Sequence, residues 1–166
     1  MKRAVVIGCP GSGKSVFSRK LTEITGLPLV HLDNLYWRDD ATTLDREAFL
    51  SKLCLVLEEE AWIIDGNYLS TMEMRISRAD TVFFFDLPSE TCIDGIRERV
   101  GKKRDDIPWI EQGIDEEFLH FVENFNTQTR PKIIDILSQN KDKKIIRFES
   151  REQSEEYLYS IKNELI

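Results

Sequence analysis

A lysine and a serine that follow a glycine-rich loop are the residues of this chain best suited to chemistry. Residues 8–15 read Gly-Cys-Pro-Gly-Ser-Gly-Lys-Ser and fit the pattern G-x-x-x-x-G-K-[ST]. An apolar, β-branched run precedes the loop and a pattern of helical period follows it. Glycines let such a loop wrap a phosphate group, toward which backbone N–H groups and the helix N-terminus then point. The sequence therefore predicts a site for a nucleoside triphosphate.

The residues of this loop have separate expected roles. Lys14 would reach the outer phosphates, and the Ser15 hydroxyl would ligate Mg²⁺. The thiol of Cys9 lies in the same loop, where the nearby helix N-terminus is expected to lower its pKa. The loop residues expected to contact the nucleotide are Gly8, Pro10, Gly11, Ser12, Gly13, Lys14, Ser15 and Val16.

Two aspartates, Asp33 and Asp65, each follow a short apolar run that is typical of a β-strand. Ligands of open α/β sheets bind outside the carboxyl ends of the strands, and carboxylates there can orient water on Mg²⁺. We therefore expect both to support a metal ion, with Asp65 as the Walker-B acid. The alternative for each is a solvated strand end or a helix N-cap. His31 is expected to be a core or supporting residue rather than a catalyst.

A basic cluster stands out in an otherwise acidic chain. Residues 97–104 contain five basic side chains and one acid. One interpretation is a lid that closes over the transferred phosphoryl group and excludes water. The others are a nucleic-acid patch and a solvated helix end whose cations interact with the helix dipole. Arg97 and Arg99 are the expected phosphate clamps, because arginine can grip phosphate with two hydrogen bonds. The tip at 102–104 is expected to be solvated.

Length, charge and cysteine usage narrow the class of protein. The 166 residues fit one domain, 1–166, with a sizeable core. A net charge of −7 disfavours direct binding to nucleic acid. The sequence has no run of 18 apolar residues, so no membrane span is predicted. The odd number of cysteines fits neither a zinc pattern nor a disulfide framework and favours the cytoplasm. Of these, Cys54 is expected in the core.

Short apolar runs alternate with longer helical patterns along the chain, which predicts an α/β fold with a parallel sheet. Helices are expected before a C-cap at Gly26, then at 42–59, 69–78 and 88–100, and around 118–125. Pro131 should break or kink the pattern that resumes after it. A capping box at 150–153 should open the last helix. The expected strands lie near residues 2–8, 28–32, 61–65, 80–86 and 143–148.

With these elements in place, the chain resembles the adenylate-kinase-like P-loop kinases. Within them it is most similar to the bacterial DNA topology modulation (FlaR-related) proteins. The resemblance covers nearly the whole chain, and the stretch Trp-Ile-Ile-Asp-Gly-Asn-Tyr at 62–68 is its most specific mark. The other segments that carry it are residues 8–15, 31–33, 78–88 and 129–133.

The resemblance implies a P-loop NTPase fold of three layers, α/β/α, around a five-stranded parallel sheet of order 2-3-1-4-5. It implies ATP as the phosphoryl donor, a short acceptor-side insertion at about 34–60 and a lid at about 97–115. By position, Arg99 and Arg97 would be lid arginines, and Arg130 would face the phosphates. The loop that holds Arg151 would lie by the adenine.

The chain also departs from the adenylate-kinase pattern. Val16 replaces the hydroxyl residue that usually contacts the α-phosphate. Tyr36 and Leu69 stand where two arginines grip the acceptor monophosphate. These replacements argue against AMP as the acceptor. Arg75 and Arg78 could instead bind an anionic acceptor from another side, or pair with surface acids.

Three functional hypotheses follow from these residues, the third of which is a nucleic-acid-associated protein. The first is a Mg²⁺-dependent, ATP-using phosphotransferase for a small molecule, with Asp33 as the base if the acceptor is a hydroxyl. The second is an ATP-binding regulator without turnover, linked to DNA topology, whose lid is ordered by nucleotide. The aromatic residues Tyr36, Trp37 and Tyr68 could stack on an acceptor ring or pack as core.

Overall fold

The computed structural model describes residues 1–38, 40, 42–107 and 109–164. Their strands and helices alternate along the chain in the order expected for a parallel α/β protein. The elements are β1 (Arg3–Gly8), α1 (Lys14–Thr25), β2 (Leu29–His31), α2 (Leu32–Tyr36), α3 (Arg46–Glu58), β3 (Trp62–Asp65), a 3₁₀ turn (Leu69–Thr71), α4 (Met72–Arg78), β4 (Thr81–Phe85), α5 (Ser89–Arg99), α6 (Glu116–Glu123), a π-helical turn (Phe125–Thr129), α7 (Arg130–Gln139), β5 (Lys144–Phe148) and α8 (Arg151–Glu164).

The strands form one parallel sheet of order β2-β3-β1-β4-β5, with helices on both faces. The predicted α/β/α fold class and strand order are therefore confirmed. The register sets Asp65 opposite His31 on one side and Val6 on the other. Because all strands point the same way, the ends of β1, β2 and β3 meet at one edge of the sheet, where ligands of such sheets bind.

Aromatic packing fixes helix α1 against the sheet. The side chain of Phe17 is 2% exposed, and its ring lies edge-on to Phe83, Phe85 and Phe148 at centroid distances of 4.9, 5.3 and 5.4 Å. Such edge-to-face pairs add about 0.5–1.5 kcal/mol each beyond the burial of their area. Since α1 begins directly after the glycine-rich loop, this packing also fixes the loop on the sheet edge.

Local signals place most helix ends correctly. Gly26 caps α1 in the left-handed conformation, as predicted. The amide of Gln153 donates to Ser150 Oγ at 3.3 Å, as in a capping box, but the Gln153 side chain accepts from Glu149 rather than from Ser150. The helical pattern breaks before Pro131, as predicted: a π-helical turn ends at Thr129 and α7 begins at Arg130, so Pro131 lies in a first turn, where its missing N–H costs nothing.

The sequence also predicted an acceptor-side insertion at 34–60, a core position for Cys54 and no membrane-spanning helix. Residues 34–60 contain most of α2 and all of α3, and Asp45 caps α3 through the Ala48 amide. Cys54 is exposed, so its prediction as a core residue is wrong; it lies on the outer face of α3. No helix among the described residues is long and apolar enough to cross a membrane.

Candidate functional site

The glycine-rich loop between β1 and α1 closely approaches the elements beside it. A Cβ at Gly8 would lie 2.3 Å from the carbonyl oxygen of Phe85, and one at Gly11 would lie 2.1 Å from that of Cys92. Both glycines also have positive φ, at +140° and +80°. Only glycine fits such positions, so the loop is held tightly between β4 and α5.

The first turn of α1 presents unpaired backbone donors beside a lysine. Gly13 is the N-cap of α1 and supplies no side-chain cap, and the first N–H groups of a helix have no partner within it. The Lys14 ammonium donates to the Cys9 carbonyl oxygen at 2.8 Å, so its positive charge lies inside the curve of the loop. This combination of donors and charge suits an anion such as a phosphate chain.

Oxygen ligands converge on Ser15. Its hydroxyl donates to Asp65 Oδ2 at 2.7 Å, and Asp65 in turn contacts His31 Nδ1 at 2.9 Å. Asp65 and His31 are both buried, so His31 holds the carboxylate in place, as a supporting histidine should. Oxygen donors of this kind suit Mg²⁺. Among the described residues, no group of three His, Cys, Asp or Glu is arranged to hold a metal alone, so phosphate oxygens and water would have to complete the shell.

Asp33 has a different partner from that of Asp65. The Tyr68 hydroxyl donates to Asp33 Oδ1 at 2.6 Å. Burial raises the pKa of Asp33 above its ordinary value, and the charges of Asp65 and Asp106 act in the same direction, whereas the Tyr68 hydrogen bond opposes them. Such a carboxylate binds a proton more readily than a solvated one.

Between α5 and α6, the described residues 100–107 and 109–115 form a segment, here called the lid after the sequence prediction, that contacts the loop through Asp106. Asp106 is 3% exposed, and its Oδ2 accepts from the Ser15 hydroxyl at 2.9 Å. Arg104 Nε donates to Asp106 Oδ1 at 2.9 Å, and its Nη1 lies 2.8 Å from Glu111. Burial alone would raise the pKa of Asp106, but the hydrogen bonds and charge of Arg104 lower it to about 2. The lid therefore contributes a charged carboxylate to the Ser15 site.

The lid arginines are ordered differently from the expectation. Arg99 pairs with Glu111 at 2.9 Å, and its guanidinium lies 5.4 Å from the centroid of the Phe118 ring. Arg104, predicted to be solvated, has a side chain only 17% exposed because two acids hold it; the neighbouring Lys102 and Lys103 are exposed. Arg99 and Arg104 thus both face the interior.

These groups line one cleft of about 1310 Å³. Its loop side contains Pro10, Gly11, Gly13, Lys14, Ser15 and Val16, while Gly8 and Ser12 are buried behind them. On the lid side it includes Arg99, Arg104, Asp106 and Glu111. Its third side, here called the β2–β3 wall, consists of His31, Asp33, Trp37, Asp65, Gly66, Asn67, Tyr68 and Leu69.

Three other predicted arginines have different positions. The Arg151 guanidinium lines the cleft and donates to the Gly11 carbonyl oxygen at 2.9 Å. Arg97 does not line the cleft: its side chain is 64% exposed and faces Asp94 at 3.3 Å. Arg130 does not line it either, because Asp86 holds its guanidinium at 2.6 and 2.9 Å. The structure therefore brings Arg99 and Arg151 to the cleft, and leaves Arg97 and Arg130 outside it.

Several supporting residues were missed from the sequence. Asn67 Oδ1 accepts from the Gly8 amide at 3.2 Å and so ties β3 to the loop. Arg75 is fully buried and donates to the carbonyl oxygens of Gly66 and Tyr68, both at 2.9 Å. It therefore neither faces the cleft nor pairs with a surface acid, the two roles considered for it. Burial lowers the pKa of Arg75 to about 9.

Cys9 also differs from the prediction. It is 1% exposed, and its contact with the Cys92 thiol, together with burial, raises its pKa. The prediction of a lowered pKa is wrong because the side chain points away from the helix N-terminus into the packing between loop and α5. Cys9 is therefore a packing residue of the loop rather than a reactive thiol.

Comparisons with known proteins identify the fold. No family model matches the chain, and no curated protein matches it. Among solved structures, a shikimate kinase from Bacteroides thetaiotaomicron aligns with a TM-score of 0.59 and 16% identity, over 99% of this chain and 98% of that one. A sugar kinase from Janibacter sp. aligns with a TM-score of 0.58 and 16% identity, over 96% and 91%. The chain therefore has the P-loop kinase fold.

Proposed function

We propose that this protein is a Mg²⁺-dependent phosphotransferase that moves the γ-phosphoryl group of ATP to a small molecule. The observation that carries the proposal is the cleft itself. Phosphate-loop groups, lid arginines and the carboxylate of Asp33 face one shared volume of about 1310 Å³. Phosphoryl transfer needs mainly positioning and neutralisation of charge, and this arrangement supplies both.

The loop side suits the triphosphate. Lys14 and the first turn of α1 offer positive charge and N–H donors, and Arg151 stands beside Gly11. The hydroxyl of Ser15 and the carboxylates of Asp65 and Asp106 form an all-oxygen donor set that fits Mg²⁺. When bound, the ion would neutralise charge on the phosphate oxygens. Asp106 is thus added to the predicted ligands Ser15 and Asp65.

Asp33 would act on the acceptor instead of on the metal. Its contact is with Tyr68, not with Ser15. In the proposed step, a hydroxyl oxygen of the acceptor bonds to the γ-phosphorus while the bond from that phosphorus to the ADP oxygen breaks. The hydroxyl proton passes to the Asp33 carboxylate, and ADP leaves. A pKa raised by burial favours this proton transfer.

The lid would complete the reaction site. Arg99 and Arg104 lie beside the cleft with their charges already ordered by Glu111 and Asp106. Arginines that meet charge developing on the phosphoryl group are worth about 10³-fold or more in rate. A lid seated on Ser15 would also exclude water, which protects the phosphoryl group from hydrolysis.

AMP remains an unsuitable acceptor in this proposal. Leu69, which lines the cleft, and Tyr36 stand at the two positions where adenylate kinases have the arginines that grip AMP. Arg75, the nearest candidate to replace them, is fully buried and committed to backbone carbonyls. A phosphate dianion without cationic partners carries a large desolvation cost.

The test uses two lysines of the same helix. Lys14→Ala should abolish acceptor-dependent ADP release and weaken binding of Mg²⁺ with an unreactive ATP analogue, measured by calorimetry. Lys20→Ala is the control, because Lys20 also lies on α1 but pairs with Glu155 at the surface. Thermal unfolding would establish that both variants fold. Undiminished nucleotide binding by a folded Lys14→Ala protein would refute the assignment.

An ATP-binding regulator without turnover is the second candidate. The observation in its favour is the ordered lid, whose Asp106 contacts Ser15 directly, so that nucleotide binding and lid position would be coupled. ADP release stimulated by one metabolite would favour the kinase, whereas salt-sensitive binding of DNA without turnover would favour the regulator.

A further inference from the structure

Lysine and arginine side chains are unevenly distributed around the cleft. The cationic residues that line it belong to the loop, α1, the end of α5, the lid and α8; they are Lys14, Arg19, Arg99, Lys102, Lys103, Arg104 and Arg151. The β2–β3 wall contains two aspartates, Asp33 and Asp65, and no lysine or arginine among its described residues. An anionic acceptor placed against this wall would therefore meet charge of its own sign.

Among the described residues, no lysine or arginine side chain pairs with Asp33 or Asp65, whose side-chain partners are Ser15, His31 and Tyr68. Arg75 beneath it is fully buried and donates to Gly66, Tyr68 and Thr71. Arg38, which follows Trp37, is exposed and bonds to Thr42 within its own turn. The negative sign of the wall is therefore built into its packing and does not depend on surface side chains that could swing in.

Aromatic rings form the rest of this part of the cleft. Trp37 of the wall meets Trp109 of the lid edge-on, with a centroid distance of 5.0 Å. Tyr68 lies 5.3 Å from Tyr36 and presents its hydroxyl to Asp33. Both tryptophans line the cleft. Ring faces of this kind pack against the apolar C–H faces of ring compounds, whose hydroxyl groups remain free to bind carboxylates.

We infer that the acceptor is an uncharged, polyhydroxylated ring compound, held by its hydroxyl groups at Asp33 and Tyr68 and by its apolar face at Trp37 and Trp109. This inference rests on the proposed function, in which a small molecule accepts the phosphoryl group. Sugars, cyclitols and nucleosides share this chemistry. Asp33, which pairs with Tyr68 and is not one of the proposed Mg²⁺ ligands, disfavours phosphorylated and carboxylated compounds, because burying such an anion beside like charge costs far more than binding a neutral hydroxyl.

The charge of the wall can be measured without knowing the acceptor. Of the three tryptophans, Trp62 is 1% exposed, so quenching by small solutes reports on Trp37 and Trp109. In a Trp109→Phe protein the fluorescence that small solutes can quench comes from Trp37 alone, because Trp62 is buried. We expect caesium to quench it more than iodide does, after normalisation to free tryptophan amide. In the Trp109→Phe protein, Asp33→Asn should narrow the difference between caesium and iodide quenching. Asp94→Asn, a change outside the cleft, should leave that difference unchanged.

The acceptor class is tested with matched pairs in the presence of Mg²⁺ and an unreactive ATP analogue. The pairs are a hexose and its 6-phosphate, a cyclitol and its monophosphate, and a nucleoside and its 5′-monophosphate. Binding is measured by thermal shift and by tryptophan fluorescence. In at least one pair the uncharged member should bind about tenfold tighter or more, because repulsion between like charges of only about 1.4 kcal/mol weakens binding tenfold. The pair that responds identifies the source of the ring.

The outcomes separate this inference from the proposed function. Stronger iodide than caesium quenching, tighter binding of the anionic members, or no binding by any uncharged member would overturn the inference. None of these results affects Lys14-dependent binding of the ATP analogue, which is measured without an acceptor. Binding of the ATP analogue that does not require Lys14 would overturn the proposed function. The quenching experiment would still report the charge of the wall in that case.

Discussion

A methyl group at Gly95 should displace the phosphate loop. Gly95 lies inside α5, and a Cβ there would be 2.1 Å from the carbonyl oxygen of Gly11 and 2.4 Å from a guanidinium nitrogen of Arg151. Non-bonded heavy atoms of this kind are normally about 3.5 Å apart. Because one of the two neighbours is backbone, α5 and the loop must separate by about 1 Å, and the Arg151 hydrogen bond to Gly11 must break or shift.

Two opposing effects set the magnitude of the Gly95→Ala change. Overpacking costs up to about 3 kcal/mol, whereas the better helix propensity of alanine recovers about 1 kcal/mol. The net loss of about 2 kcal/mol should lower the Tm by about 4–8 °C in a domain of this size. A displacement of about 1 Å at the phosphate loop should also reduce turnover by about 100-fold.

The assay compares two glycines. Gly113→Ala is the control, because a Cβ there meets nothing within 4 Å and the backbone needs no positive φ. Thermal unfolding by circular dichroism gives the Tm, and calorimetry gives the affinity for Mg²⁺ with an ATP analogue. If Gly95→Ala raised the Tm through helix propensity and left nucleotide affinity intact, the close approach of α5 to Gly11 would not matter and the reasoning would be refuted.

Three further predictions concern charge. Arg99→Ala should lower turnover by about 10³-fold with a smaller loss of ATP affinity, whereas Arg97→Ala should change neither; equal small losses in both variants would make Arg99 a surface residue. Because burial raises the pKa of Asp33 above 3.8, turnover should fall as pH drops through that raised value, and a pH–rate profile unchanged in Asp33→Asn would contradict its role as base. The pKa of Asp106 is lowered from 3.8 to about 2, so its pairing with Arg104 should stabilise the lid fully above about pH 4 and should be lost as the pH falls toward 2. The fluorescence of the lid tryptophan, Trp109, should report this loss. A change in that fluorescence near pH 6 would argue against the Asp106–Arg104 pair as the cause.

Interactions that act over a few residues could be predicted from the sequence. The phosphate loop, the cap at Gly26 and the buried strands each depend on neighbours along the chain, and the structure has them where they were expected. Asp33 and Asp65 could be assigned to one edge of the sheet because parallel strands all end at the same side. His31 could be recognised as a supporting residue for the same reason.

Residues whose role depends on distant partners could not be assigned in this way. Arg104 was expected in solvent, yet two acids of the lid hold it inside the cleft. Asp106 reads as an ordinary loop acid, and only chain folding across 91 residues brings it to Ser15. Arg75 shares the helical spacing of a surface pair but is buried and donates to the carbonyl oxygens of Gly66 and Tyr68, just after β3. The spacing of residues along a helix shows which side chains share a face, but it does not show which other elements that face contacts.

The sequence by itself determined that this chain has a phosphate loop at the edge of a parallel sheet, because backbone conformation and burial there follow from local residue types. Tertiary structure decided which charges share the cleft. The separation of cations on the loop and lid from the aspartates of the β2–β3 wall arises from elements far apart in the chain. Electrostatic interactions depend on distances in space, and these became known only with the fold.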